Sequence, residues 1–287
     1  MSACEIPLKP SIHLGRLSGI KSLPPFPAVA GKLLGLISDD NADFREVSRL
    51  VMTDSALSSQ VLRVANSSLF GFRKEIRSIL NALCLVGASR VRDVVVTLAL
   101  KDYTGHGDNV FLRACWRHNL ATALWGEALA QYYRLDRPMT YTAGILHDLG
   151  RIALLMVLPS DYAAFLETSA ASDLDWRKTE RELFDFDHCQ IGQYLATTWN
   201  FQPALGEVIA HHHDEITPAT PRPRALVQAA CRAASMSGFQ AIGPLRDWDP
   251  LRIVSVLPEE SRGLQAPLEL MRQKVVDELN MIECSLL

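Results

Sequence analysis

The chain has no surplus of positive charge: 29 lysines and arginines stand against 32 aspartates and glutamates, for a net charge of −3 and a pI near 6.2. Its densest basic motif, Pro221-Arg222-Pro223-Arg224, is too short to form a stripe along a phosphate backbone, which argues against nucleic acid as the main partner. No Cys-x-x-Cys spacing occurs. The six cysteines (Cys4, Cys84, Cys115, Cys189, Cys231 and Cys284) are scattered, and they read as reduced, mostly buried thiols of an intracellular protein. Long hydrophobic runs are missing too. The longest strictly apolar run, Ile152 to Leu158, falls far short of the ~20 residues that cross a bilayer. The opening MSACEIPLKP has no apolar signal core. A soluble, cytoplasmic chain without a membrane partner is expected. There is no internal repeat and no low-complexity tract.

What is present is enough apolar material for a core: 48% apolar and 21% charged residues over 287 positions, sufficient for one large domain or two modest ones. Nearly every patterned segment has helical period. Val29, Leu33, Leu36 and Ile37 form one stripe after LPPFP. Phe44, Val47, Leu50 and Val51 form the next behind a cap at Asp43, and Leu57, Val61, Val64 and Ala65 a third behind Asp54-Ser55. Val91, Val94, Val95 and Leu98 form a fourth, lacking the strict alternation of a strand. Further helices are predicted around Leu112–Tyr133, Thr140–Leu158, His188–Trp199, Ala225–Met236 and Pro267–Ile282, with Pro203 opening one that ends in His211-His212-His213. The prediction is an all-α fold in which an N-terminal lobe packs against a central multi-helix lobe. The polar DYTGHGDN segment places a boundary near 103/104, giving units 1–103, 104–240 and a C-terminal extension 241–287.

The stretch GILHDLGRIALL, Gly144 to Leu155, reads as one buried helix with His147 and Asp148 in its middle. An unpaired carboxylate there costs several kcal/mol or more. Six of the eight histidines collect in the same lobe: His118, His147, His188, His211, His212 and His213. Imidazole and carboxylate donors together suit Fe, Mn, Zn, Co or Ni, and a cation would neutralise Asp148. Two simpler readings stand beside this one. Arg151 lies three residues after Asp148 and can pair with it, and the His211–His213 run can be a solvated helix end favoured by the dipole.

The segments LPPFPAVAGKLLGLI, MTDSALSSQVLRVANSSLFGF and IRSILNALCLVGASRVRDVVV resemble the N-terminal signature of the HDOD domain. WRHNLATALWGEALA, TAGILHDLGRIALL and FDHCQIGQYLATTWNFQPALGEVIAHHH resemble that family's degenerate HD part, and the likeness spans roughly Leu17 to Ser237. The resemblance implies an all-helical bacterial module of signalling or regulation, related to HD phosphohydrolases and HD-GYP phosphodiesterases, whose members have often lost their metal ligands. It places His118 at the first HD-superfamily ligand, His147 and Asp148 at the name-giving pair, and His188 at the next. His212 and His213, rather than His211, fall at the ligands that follow. Two departures stand out. Cys231 takes the place of the superfamily's late aspartate, where it is either a soft ligand or a small buried thiol, and nothing after His213 resembles the glycine-tyrosine-proline signature. Arg151 occupies a position often held by lysine in active relatives, where it would clamp a phosphate or close the site with a salt bridge.

The function expected is a regulatory module that binds regulatory or signalling proteins or a nucleotide ligand. It would hold one or two divalent transition-metal ions and show no strong turnover. No receiver, kinase or cyclase-like segment accompanies these helices, so output would pass through protein contacts. The alternative is a metal-dependent phosphohydrolase with Asp148 and Arg151 as catalytic candidates. In the N-terminal lobe Ser55, Ser58, Ser59, Asn66, Ser67 and Ser68 read as helix caps and packing residues.

Overall fold

Helices α1 (Ala28–Leu36), α2 (Phe44–Met52), α3 (Ser55–Ala65), α4 (Ile79–Val86) and α5 (Ala88–Tyr103) build the N-terminal lobe of the computed structural model. The structure describes residues 18–36, 43–105, 109–169, 175–241, 247–255, 257 and 267–286. Ile37 of the first stripe and Cys4 lie outside them. Asp43 and Asp54 cap their helices as predicted, accepting from the amides of Arg45 (2.8 Å) and Leu57 (3.0 Å). The polar residues of α3 and the turn after it serve packing: the Ser58 hydroxyl donates to Val51 O, and the Asn66 amide bridges both the N–H and the carbonyl of Ile76 at 2.7 and 2.8 Å.

The central lobe is organised around α6 (Val110–Tyr133), with α7 (Arg137–Leu146), α8 (Leu149–Val157), α9 (Pro159–Ser169), α10 (Trp176–Phe184), α11 (His188–Thr198), α12 (Pro203–His211) and α13 (Arg222–Met236). A short α14 (Pro250–Val254) and a long α15 (Leu268–Leu286) follow. No strand occurs among the described residues. No helix among them is long and apolar enough to cross a membrane. Helix α6 is buried on nearly all sides from Cys115 to Ala130, because α7, α13 and α15 all pack against it. The lobes meet through α5 on α7 and through an aromatic cluster in which Phe26 and Tyr103 contact Trp199 at ring distances of 5.8 and 5.4 Å.

Three sequence expectations are corrected here. The predicted helix Thr140–Leu158 is two helices, broken at His147-Asp148, where Asp148 adopts φ −100°, ψ 24°. No helix is predicted between Leu158 and His188, yet this stretch contains α10, whose Trp176, Glu180 and Phe184 form a sparse i, i+4, i+8 stripe. Finally, the thiols are not mostly buried: Cys115 and Cys189 are, Cys231 is half-buried, and Cys84 and Cys284 are exposed.

The crossing of α8 over α11 is set by glycine. A Cβ on Gly150 would lie 1.8 Å from the His188 carbonyl oxygen and 2.8 Å from Gly192 N, and one on Gly192 would lie 3.4 Å from Gly150 N. Only two residues without side chains allow the backbones this close, and the contact brings the Asp148 end of α8 beside the His188 end of α11.

Candidate metal centre

The break between α7 and α8 does what a continuous helix cannot. Adjacent residues on one helix point about 100° apart. At the junction, His147 closes α7 and Asp148 opens α8, and their side chains converge: His147 Nε2 lies 3.8 Å from Asp148 Oδ2. A similar device operates at the end of α12, where His212 follows the last helical residue. His147 Nδ1 faces the Gly144 carbonyl at 2.7 Å, and His212 Nδ1 faces the Ile209 carbonyl at 2.9 Å, both three residues back. His118, within α6, directs Nδ1 at the Phe239 carbonyl at 2.7 Å. Each of these carbonyls can only accept, so each Nδ1 carries a proton and Nε2 is the nitrogen turned inward.

Those inward nitrogens surround one carboxylate. His212 Nε2 is 3.3 Å from Asp148 Oδ1, and His118 Nε2 is 4.0 Å from Asp148 Oδ2. His147 Nε2, His212 Nε2 and Asp148 Oδ1 are buried without a hydrogen-bond partner. Leaving such atoms unsatisfied costs about 1–3 kcal/mol each. Donors sharing one ion through bonds of 2.0–2.2 Å sit roughly 3–3.5 Å apart, so a slight contraction of this set around a cation satisfies all three. The donor set fits a first-row divalent ion. Burial lowers the basicity of His118 and His147, keeping both imidazoles neutral with a lone pair to offer. Burial opposes ionisation of Asp148, but the Arg151 guanidinium outweighs it and holds the carboxyl well below the usual range.

Arg151 takes the salt-bridge role. Its Nε donates to Asp148 Oδ2 at 2.9 Å, one terminal nitrogen reaches Glu180 Oε1 at 3.4 Å, and the other lies 3.2 Å from His188 Nε2. That last contact consumes the His188 lone pair. His188 Nδ1 in turn meets Glu180 Oε2 at 2.6 Å, and the same oxygen accepts from the His188 backbone. Glu180 also accepts from the Tyr162 hydroxyl at 2.5 Å. Burial would raise the Glu180 carboxyl, but His188 and Arg151 bring it down to about 2. Glu180, Tyr162 and Cys189, whose Sγ is 3.5 Å from His188 Nε2, are site residues that sequence reasoning missed. The one available signal was the α10 stripe, which turns Glu180 inward between two aromatics.

The remaining candidates are placed as follows. His213 is exposed, its ring 4.2 Å from that of His212, and its ligand atom groups with those of His188, Cys189 and His212. His211 bonds outward to Asp214 at 2.7 Å. A cavity of about 950 Å³ opens over the cluster; His118, Asp148, His188, His212 and His213 line it together with Trp176, Arg177, Arg181 and Arg232. Arg177 and Arg181 both pair with Asp187.

Comparison with known proteins agrees with this architecture. A Geobacter sulfurreducens HDOD domain protein with unknown function superposes with a TM-score of 0.74 at 24% identity, over 95% of each chain. A Shewanella amazonensis protein whose name proposes a phosphohydrolase gives 0.69 at 22%, over 95% of this chain and 98% of that one. A Marinobacter aquaeolei protein whose name proposes signal transduction gives 0.69 at 18%, over 99% and 69%. The chain spans 38% of the length of the curated relative it matches, an uncharacterised Treponema pallidum protein 22% identical over 198 residues. The HDOD domain profile matches residues 23–215, well over half the sequence, so the chain belongs to the HDOD domain family.

Proposed function

We propose that this HDOD protein is a regulatory module that holds a single divalent transition-metal ion (Fe, Mn, Zn, Co or Ni) through His118, His147, Asp148 and His212, and acts through contacts with signalling proteins rather than by turnover. The observation that carries this reading is the placement of Arg151. Its guanidinium occupies one oxygen of Asp148 and the lone pair of His188, so a permanent side-chain cation stands where a second ion would need its ligands. The same bonds, with Glu180 and the Trp176 ring 5.8 Å away, keep Arg151 from reaching a phosphate. The Marinobacter relative's name points the same way.

A metal-dependent phosphohydrolase is the second reading. The cavity favours it: about 950 Å³ over the cluster is room for a nucleotide, and the Shewanella relative's name fits. A bound divalent ion supplies Lewis acidity to a water or phosphate oxygen. In either case Asp148 balances the charge, and the three backbone carbonyls orient the imidazoles. Elemental analysis of protein purified without chelator, followed by assay on generic phosphodiesters with added Mn or Fe, separates the two. One ion per chain and no turnover is the expected result. Turnover that disappears in a folded Asp148→Ala variant would overturn it in favour of the hydrolase.

A further inference from the structure

We propose that Cys231 is a thiolate ligand of this ion, making the centre selective for thiophilic Zn2+ or Co2+ over Mn2+. The inference rests on the metal reading above and adds a sulfur donor from outside the family-matched residues, which end at 215. Cys231 Sγ lies 3.5 Å from His118 Nε2. On one zinc or cobalt ion, sulfur and nitrogen with bonds of about 2.3 and 2.0–2.1 Å stand roughly 3–3.6 Å apart, according to the angle between them. The ligand atoms of His118, His147 and Cys231 all lie within 4.8 Å of one another. His147 contributes a second, independent sign: the residue is 1% exposed and its Nε2, part of this triad, has no hydrogen-bond partner.

Packing alone does not account for the cysteine. Helix α13 packs on α6 and α7 and buries Leu226, Val227, Ala229, Ala230, Ala233 and Ala234. Cys231 is half-buried and lines the cavity. The Phe239 carbonyl holds His118 Nδ1 at 2.7 Å, which turns Nε2 to the sulfur. On loading, the thiol loses its proton to solvent and the sulfur lone pair forms the new bond to the ion. A soft thiolate in place of a hard oxygen donor is what shifts the preference.

The test is cobalt loading of the full chain. One Co2+ per chain is expected, with a near-ultraviolet sulfur-to-cobalt charge-transfer band. Cys231→Ser, a near-isosteric change, keeps the fold by circular dichroism, loses the band and weakens cobalt binding by about tenfold or more in chelator competition. Cys84→Ser, at an exposed thiol of the N-terminal lobe, keeps the band. Bound cobalt without a sulfur band in the unmodified chain overturns the proposal while leaving the metal reading intact. So does a band that survives Cys231→Ser and vanishes in Cys189→Ser. Failure to take up cobalt, with zinc and manganese also rejected, overturns both.

Discussion

The two lobes treat buried charge in opposite ways. In α1–α5 the buried polar residues are few: Ser48, Arg92, Asp93 and Thr97, with Thr104 just beyond. Large apolar side chains stand in solvent there, Met52 at 62% and Leu85 at 56% exposure, as Val110, Leu251 and Leu270 do elsewhere in the chain. The central lobe buries His118, His147, Asp148, Arg151, Glu180, Asp187, His188 and His212. Burying ionisable groups is costly unless each is paired and hydrogen-bonded, and it adds little to stability even then. A lobe that concentrates them around one cavity is organised for a site. A lobe that nearly avoids them is organised as scaffold.

Two changes break the comparison from the central side. The larger is Gly150→Ala. Its methyl group would meet the backbone oxygen of His188 rather than a movable side chain, so α8 and α11 must separate and the pairing of Asp148 with Arg151 and His188 is lost with them. Destabilisation above about 4 kcal/mol is expected, read as a drop in the urea midpoint or as failure to fold. A stable Gly150→Ala protein with an unchanged midpoint would mean the crossing is looser than described. The next is Arg151→Met. Removing the guanidinium leaves Asp148 and Glu180 buried without their cation, at a cost of roughly 3–5 kcal/mol. In the presence of Co2+ the same variant is expected to bind two ions instead of one, since His188 Nε2 and Asp148 Oδ2 are released together. A stoichiometry fixed at one would show that Arg151 is not what excludes a second ion.

How far the sequence reveals this arrangement differs between its parts. Helical period and caps are local, so Asp43, Asp54 and Pro203 mark helix starts correctly. The break at His147-Asp148 is not local. Ile145, Leu146, Leu149 and Ile152 keep an unbroken apolar period across it, and only the demand that both side chains reach one centre interrupts the helix. Family resemblance points to the histidines, and the structure gathers His118, His147, His188 and His212 around Asp148. What orients them is invisible in sequence. The Phe239 carbonyl lies 121 residues from His118, and backbone carbonyls leave no residue signature. Glu180 was hidden for a different reason: α10 is so polar that its inward stripe of three residues is lost among charges.

The smallest effect belongs to a buried ion pair of the N-terminal lobe. Asp93 sits 2.6 Å from the Arg92 guanidinium, yet burial dominates and raises its carboxyl from the ordinary 3.8 to about 6. A folded-state pKa above the unfolded one means that the folded chain holds the proton more tightly. This contribution is therefore complete below about pH 3.8, declines as the pH climbs, and is gone once it passes about 6. Other carboxylates titrate in the same range, so the measurement is a difference. The unfolding free energy of the unmodified chain minus that of Asp93→Asn should fall by roughly 2–3 kcal/mol between pH 4 and pH 7. A difference that rises with pH would show that Arg92 governs the pair, and the N-terminal lobe would then manage its buried charge as the central lobe does, by pairing.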